Sequence, residues 1–361
     1  MFPALLMLCV LPALAQAFFP PRSVARAHDP RGGTAPYNSS GRGHPAQEAP
    51  DGQNSDIFLN FLFKYNKPLP AGTHDYRHRE QSFLASIRRQ NYLNAMSQSS
   101  GGNNTAVYGI NQFSDLLPEE FRARFLRSFS TKISLSSHAK KNLKQTLLSK
   151  RFDWRDANVV TGVKDQQSCG GCWAFSVVEA IETVHAIRSH SLEELSVQEV
   201  IDCSEKNFGC NGGSPTTALR WLNETQLKLV RDSEYRYKAQ TGICHYFPRS
   251  LFGISIKGFE AYNLRGHEEE MRRMLVQLGP LIVLVDAISW QDYLGGIIQH
   301  HCSAGESNHA VLITGFDTSG EVPYWIVRNS WGASWGIAGY VHIKIGDNVC
   351  GIADTVAVTF V

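Results

Sequence analysis

Gln166-Gln167-Ser168-Cys169-Gly170-Gly171-Cys172-Trp173-Ala174-Phe175-Ser176 carries more chemistry than any other segment of this chain. It sets a Cys-x2-Cys pair around two glycines and then opens an apolar run at helical spacing, Trp173, Phe175, Val178, Ala180, Ile181 and Val184. The spacing predicts a helix over 172–188 that begins at Cys172. A thiol at that position sits at the positive end of the helix dipole, which favours its thiolate form. The same pair also fits a thioredoxin-type dithiol or half of a zinc site. No βαβ pattern frames it and no second ligand pair follows at zinc spacing, so neither metal nor cofactor is expected.

Cysteine arithmetic points to the same place. Residues 1–17 read as a signal peptide, almost wholly apolar through residue 14 and ending in Ala15-Gln16-Ala17. Pro12 interrupts the run, which is too short for a bilayer, and no later segment approaches the roughly 20 apolar residues of a transmembrane helix. The mature chain is therefore expected to be soluble, without a membrane partner, and to have passed through the secretory pathway. Cys9 leaves with the signal, and Cys169, Cys172, Cys203, Cys210, Cys244, Cys302 and Cys350 remain. That number is odd, so in an oxidising compartment one thiol is left over, to stay free, be capped or pair with another chain. The 361 residues carry 35 basic and 33 acidic side chains, a balance that gives no electrostatic case for nucleic acid.

Residues 18–56 are rich in Pro, Gly, Arg, Ser and Ala and poor in aliphatic residues. Such a stretch buries too little to offset its chain entropy and is expected to be disordered. From residue 57 the character changes. Phe58, Phe61, Phe63, Phe83, Ile87 and Tyr92 recur among basic residues at spacings that suit amphipathic helices. Pro118-Glu119-Glu120-Phe121 reads as a helix start, with Pro and acids in the first turn. Residues 131–149 are polar and basic and are expected to form an exposed linker open to proteolysis. Beyond Arg151, helical patterns over 172–188 and 194–203, the latter capped by Ser196, give way to strands at 281–285, 310–315, 324–327 and 340–345. Helices first and strands second predict an α+β unit of two lobes, one mostly helical and one mostly sheet.

The segment around Cys172 resembles the papain and cathepsin family of cysteine proteases, with Gly171 where that signature has Ser or Ala. The resemblance implies a His and an Asn roughly 130–150 residues downstream. Ser307-Asn308-His309-Ala310 supplies the His inside that range. Tyr324-Trp325-Ile326-Val327-Arg328-Asn329-Ser330-Trp331-Gly332 supplies the Asn slightly beyond it, as a short insertion near 317–323 would cause. A lone His before a strand is ordinarily a packed side chain, and this chain has 13 of them. Its company with the cysteine motif and Asn329 is what singles out His309.

By this resemblance Cys172 is the nucleophile, His309 its base and later the acid, and Asn329 the group that orients the imidazole. Trp331 shields that hydrogen bond from water. Gln166, with the backbone N–H of Cys172, forms the oxyanion hole. Gly212 and Gly213 are similar to the family's glycine wall against the substrate backbone, although a plain tight turn accounts for them equally well. The resemblance pairs Cys169 with Cys210, Cys203 with Cys244 and Cys302 with Cys350, where the count alone leaves the connectivity open. It implies a two-lobed papain-like fold, with a helical left lobe, a β-sheet or barrel right lobe and an N-terminal helical propeptide. Its domain boundaries are 57–149 for the inhibitory propeptide and 150–361 for the catalytic domain. Protein and peptide substrates, cystatin-type inhibitors, a monomeric state and a lysosomal or secreted location follow from the same likeness.

The upstream region carries its own signals. Gly109-x-Asn111-x-Phe113-x-Asp115 matches a motif of propeptides that lie through the cleft in reverse direction and block it. Asp75, Arg79, Phe83 and Asn94 hold the spacing of the interspersed helix motif of such propeptides, while Ser86 and Gln90 depart from it. His300 and His301 are similar to the paired histidines of carboxydipeptidase cathepsins but stand in the second half, where they read as structural or solvated. No insertion after Cys210 is suited to obstruct one end of a cleft, so endopeptidase action is expected. Of the sequons, Asn103 and Asn223 lie in polar surroundings and are expected to carry glycans. Two rivals remain open at this point: a silent binding protein on a protease scaffold, and a dithiol oxidoreductase, which requires Cys169 to be free.

Overall fold

The first helix, α1 (Asp51–Lys64), starts directly after Pro50 and ahead of the boundary expected at 57. Composition marks where apolar residues begin, whereas a helix also takes in the polar turn that leads up to them. The structure, a computed structural model, describes residues 51–99, 104–131, 143–145, 147–246, 250–300, 302 and 305–361, all within a unit spanning 49–361. The signal segment, residues 18–50 of the stretch expected to be disordered, Asn103 and His301 lie outside the described residues.

Helix α2 (His74–Ser99) buries Tyr76 and, two turns further on, Phe83, Ser86, Gln90, Leu93 and Ser97 at three- and four-residue steps, so they share one face. Its aromatic end packs on α1, with Phe58 against Tyr76 at 5.2 Å and Phe61 against Phe83 at 4.9 Å between ring centroids. A short strand, β1 (Val107–Tyr108), is tied to α2 by Asn94, which donates to Tyr108 O (2.8 Å) and accepts from Tyr108 N–H (2.9 Å). Helix α3 (Pro118–Phe125) begins with the expected Pro and acids. Glu120 accepts the Leu117 N–H (3.0 Å) and a two-pronged bond from Arg79 (2.8 and 3.0 Å). Arg79 and Asp115 thus serve the segment's own fold, the latter through Lys67 at 2.5 Å.

The linker expected to be exposed is partly pinned. Lys144 N–H donates to Gln277 Oε1 (2.8 Å), Gln277 returns a bond to Lys144 O (2.9 Å), and Leu143 and Leu148 pack on the sheet core. Overall polarity hides these leucines, which find apolar cover nearby. After β2 (Arg151–Asp153) comes α4 (Cys172–Ser189), buried on nearly all sides because it runs between the other helices and the sheet. Helix α5 (Val197–Cys203) starts where Ser196 Oγ accepts the Glu199 N–H at 2.9 Å, the cap expected. Helix α6 (Pro215–Thr225) completes the helical lobe, whose core includes Trp173, Val178, Ile181, Val200 and Leu219.

The second lobe contains β3 (Gly258–Tyr262), α7 (Glu268–Leu278), β4 (Leu281–Val285), β5 (Tyr293–Gly295), β6 (Ile297–Ile298), β7 (His309–Asp317), β8 (Tyr324–Arg328), β9 (Tyr340–Lys344) and β10 (Val356–Phe360). Its sheet runs β3-β10-β4-β7-β8-β9-β6, antiparallel except for β6 with β9, and β2 pairs with β7. Every residue of β4 is buried because both faces are covered. Leu281, Val283 and Val285 enter the sheet core, Ile282 enters the helical core, and Leu284 meets Cys172. Strand β7 repeats the alternation, with Val311 and Ile313 in one core, Leu312 in the other and Ala310 beside Cys172. The described residues thus have the α+β, papain-like architecture expected. No described helix is long and apolar enough to cross a membrane.

Candidate active site

Cys172 opens α4 and His309 opens β7, so one lobe carries the thiol and the other the imidazole. Both are fully buried, with Leu284 and Ala310 packed on the cysteine. His309 Nε2 lies 2.8 Å from Asn329 Oδ1. A carboxamide oxygen only accepts, so Nε2 carries the hydrogen and Nδ1 is left to serve the sulfur. Nδ1 is buried and meets no aligned hydrogen-bond partner among the described residues, the sulfur included. Burial pushes the Cys172 thiol up, but the charge and hydrogen bond of His309, aided by Ser128 and the Ala310 backbone, bring it down to about 7.

Trp331 lies almost parallel to the His309 ring at 4.8 Å, and Trp290 meets that ring edge-on at 6.2 Å. These indoles cover the His309–Asn329 bond. Asn329 follows β8 directly, held by its N–H to Gly339 O at 3.1 Å. The residue before it, Arg328, is buried and lies 3.0 Å from Glu179 on α4, a contact without hydrogen-bond alignment. Arg328 also donates to Thr161 O (2.9 Å) and Gly162 O (2.6 Å). This tie between the helix that Cys172 opens and the strand leading to Asn329 is invisible in the sequence, where Glu179 is one polar residue in an apolar helix.

Gln166 is buried, its Oε1 accepting from Ser330 Oγ at 2.7 Å. Its Nε2 donates to Cys169 O (2.9 Å) and to Phe125 O of α3 (3.3 Å), so the N-terminal segment reaches the expected oxyanion donor. Ser128 Oγ lies 3.1 Å from the Cys172 sulfur. On either side the chain is held by backbone: Ser128 N–H to Asn308 O (3.0 Å), Phe129 N–H to Gly213 O (3.2 Å) and Gly213 N–H to Arg127 O (3.1 Å). Ser128 and Gly213 form a parallel bridge, so this glycine pairs main chain with main chain. A Cβ on Gly212, whose φ is +120°, would lie 2.3 Å from Arg127 O, which explains the glycine there. No sequence signal marks Ser128, since a serine in a polar run carries no periodic pattern.

The structure joins Cys169 to Cys210, Cys203 to Cys244 and Cys302 to Cys350, leaving Cys172 as the free cysteine among the described residues. A bridged Cys169 offers neither a dithiol partner nor a zinc thiolate, which removes the oxidoreductase alternative. Asn223 is half-buried on α6, and His300 is exposed.

Residues 148–360 match the model of the papain family cysteine proteases, and residues 58–121 match the cathepsin propeptide inhibitor domain (I29). The chain belongs to the papain family. Cathepsin O of Homo sapiens is 60% identical to it over 287 residues, covering 79% of this chain and 89% of that protein. Cathepsin O of Mus musculus is 58% identical over 294 residues, covering 81% and 93%. Among solved structures, digestive procathepsin L2 from the larval midgut of Tenebrio molitor superposes with a TM-score of 0.76 at 28% identity, covering 85% of this chain and all of that one. The chain is a cathepsin-type cysteine endopeptidase made with its own inhibitory propeptide.

Proposed function

We propose that this precursor matures into a peptidase whose chemistry runs through Cys172, His309 and Asn329, and that residues 1–17 direct it to the secretory pathway and the lysosome. The observation that carries the catalytic assignment is the buried pairing of a thiol at the first position of α4, lowered to about 7, with an imidazole held by Asn329 at 2.8 Å. The thiolate attacks the scissile carbonyl carbon, and the π pair moves to oxygen. Gln166 Nε2 and the Cys172 N–H stabilise that oxyanion, a donor of this kind contributing about 3–4 kcal/mol. As the intermediate collapses the C–N bond breaks, and the proton on His309 Nδ1 passes to the departing amine. Water then gives a proton back to Nδ1, its hydroxyl attacks the thioester, and the C–S bond breaks to release the acid and restore the Cys172 thiolate beside protonated His309. Asn329 keeps Nδ1 aimed at the sulfur through both halves.

The propeptide occupies this path with its backbone on Gly213 and Ser128 on the sulfur, which supports a sealed zymogen. The division at 57–149 and 150–361, monomeric action, glycans at Asn103 and Asn223 and control by cystatin-type inhibitors belong to the same proposal. The test is maturation of a Cys172→Ser precursor in mildly acidic, reducing buffer. The mutant is expected to stay full-length while wild type shortens, and equal shortening of both would assign the cut to another protease.

A further inference from the structure

Every hydrogen bond to the buried carboxylate of Asp292, among the described residues, comes from propeptide helix α2. Ser86 Oγ donates to Oδ1 at 2.8 Å, Gln90 Nε2 to Oδ1 at 3.2 Å, and Arg89 Nε to Oδ2 at 2.6 Å. Gln90 also bonds Ser86 Oγ at 2.9 Å, so the donors form one connected set. Ser86 and Gln90 are the two positions at which α2 departs from the interspersed propeptide motif. Sequence alone marks them as mismatches, and the structure places both on one carboxylate.

The hydrogen bonds next to this carboxylate run to or from backbone. Strand β1 pairs with β5, Gly109 N–H donates to Asp292 O (2.9 Å), and Asn111 Nδ2 donates to Gln291 O (2.7 Å). Gln291 Nε2 in turn donates to Phe113 O (3.0 Å) and Leu116 O (2.8 Å). Apart from Asn111, which stands in the Gly-x-Asn-x-Phe-x-Asp motif, the propeptide offers main-chain groups here, and these are the same in any propeptide with this fold, so the contacts hold without choosing. The Asp292 carboxylate discriminates, because a helix that lacks its donors would bury an unpaired charge.

We propose that Asp292 is an anionic socket by which the catalytic domain selects its propeptide, accepting a helix that presents hydroxyl, guanidinium and carboxamide at positions 86, 89 and 90 and rejecting one that is apolar there. The inference rests on residues 51–131 sealing the cleft. It adds a specificity element separate from the catalytic groups, built from side chains where the neighbouring hydrogen bonds involve backbone. Departure of the propeptide strips Asp292 of these donors and leaves the socket open to a second helix of the same chemistry.

The test uses the intact precursor at neutral pH and reads opening as the rate at which iodoacetamide alkylates Cys172, which Ser128 covers when the segment is closed. Intact chain is separated from cleaved chain before the label is counted. Losing one hydrogen bond to a charged group predicts roughly 10- to 100-fold faster labelling for Arg89→Ala. The exposed neighbour Arg88→Ala is expected to match wild type. The triple variant Ser86→Ala/Arg89→Leu/Gln90→Leu is expected to open further, and adding Asp292→Leu to it is expected to restore slow labelling by removing the unpaired charge. Wild-type rates in Arg89→Ala or in the triple variant would overturn the proposal, as would a quadruple variant no slower than the triple. If the triple variant does not fold, Arg89→Ala against Arg88→Ala decides alone. Failure of the processed wild-type protein to label at Cys172 would instead strike the catalytic assignment. The socket is then read by hydrogen exchange at the Gly109 amide, which is expected to speed up in Arg89→Ala and whose unchanged rate would overturn it.

Discussion

Burial alone would hold the Cys172 thiol above its ordinary value of 9.0, because a thiolate in an apolar site loses its hydration. The His309 charge and the hydrogen bonds from His309, Ser128 and the Ala310 backbone outweigh that loss and leave the group at about 7. Departure of the propeptide removes Ser128 but also admits water, and the larger opposing effect is the burial. The processed enzyme is therefore expected to show an alkylation inflection below about 7, since the thiolate reacts and the thiol does not. In His309→Ala, matured by an added protease, the inflection is expected to move upward by about a unit or more. A pH-rate profile with iodoacetamide measures both, and an unmoved inflection would remove His309 from the account. At this scale much was legible. Cys172, His309 and Asn329 stand in short motifs whose residue types the chemistry demands, whereas Ser128 follows from no local pattern.

Strands and helices bring these residues together, and here the sequence was readable where burial is regular. The five apolar residues of β4 announce a strand covered on both faces, and the spacing in α4 announces its length to within a residue. The pairing of Glu179 on α4 with Arg328 on β8 is not regular and could not be read. Burial pushes the Glu179 carboxyl up, Arg328 and Lys164 pull it down, Glu182 adds to the rise, and the net is a group raised to about 7. A carboxyl raised on folding binds its proton more tightly in the folded chain. Its contribution is therefore complete below the ordinary carboxyl value of 4.5 and is lost as pH rises toward about 7. Glu179→Gln is expected to remove this slope. Relative to wild type, the variant gains on the order of 3 kcal/mol between the two ends of that window. Urea unfolding of Cys172→Ser precursors at pH 4.5 and 7.5, with and without Glu179→Gln, measures it. Parallel pH dependences would show that Glu179 is ionised throughout.

The whole molecule is a two-lobed protease with a third element, the propeptide, laid across the seam. Its Phe113 and Phe121 meet Trp331 edge-on at 5.5 and 5.2 Å, so the indole that covers the His309–Asn329 bond also anchors the inhibitor. The sequence disclosed that such a segment exists, through Gly109-x-Asn111-x-Phe113-x-Asp115. It did not disclose where the segment docks, because docking depends on the surface formed by Trp290, Gln291 and Asp292 together with Trp331. Those residues are distant in sequence from the propeptide and meet it only after both parts fold. The account as a whole claims one activated thiol, silent while covered and reactive once the cover leaves. The most direct test treats propeptide-free protein with one equivalent of iodoacetamide in reducing, mildly acidic buffer and locates the label by mass spectrometry. The account predicts label at Cys172, slow in the intact precursor, fast after processing, and lost with activity in His309→Ala. A folded, processed protein that takes no label at Cys172, or takes it equally well without His309, would contradict the account.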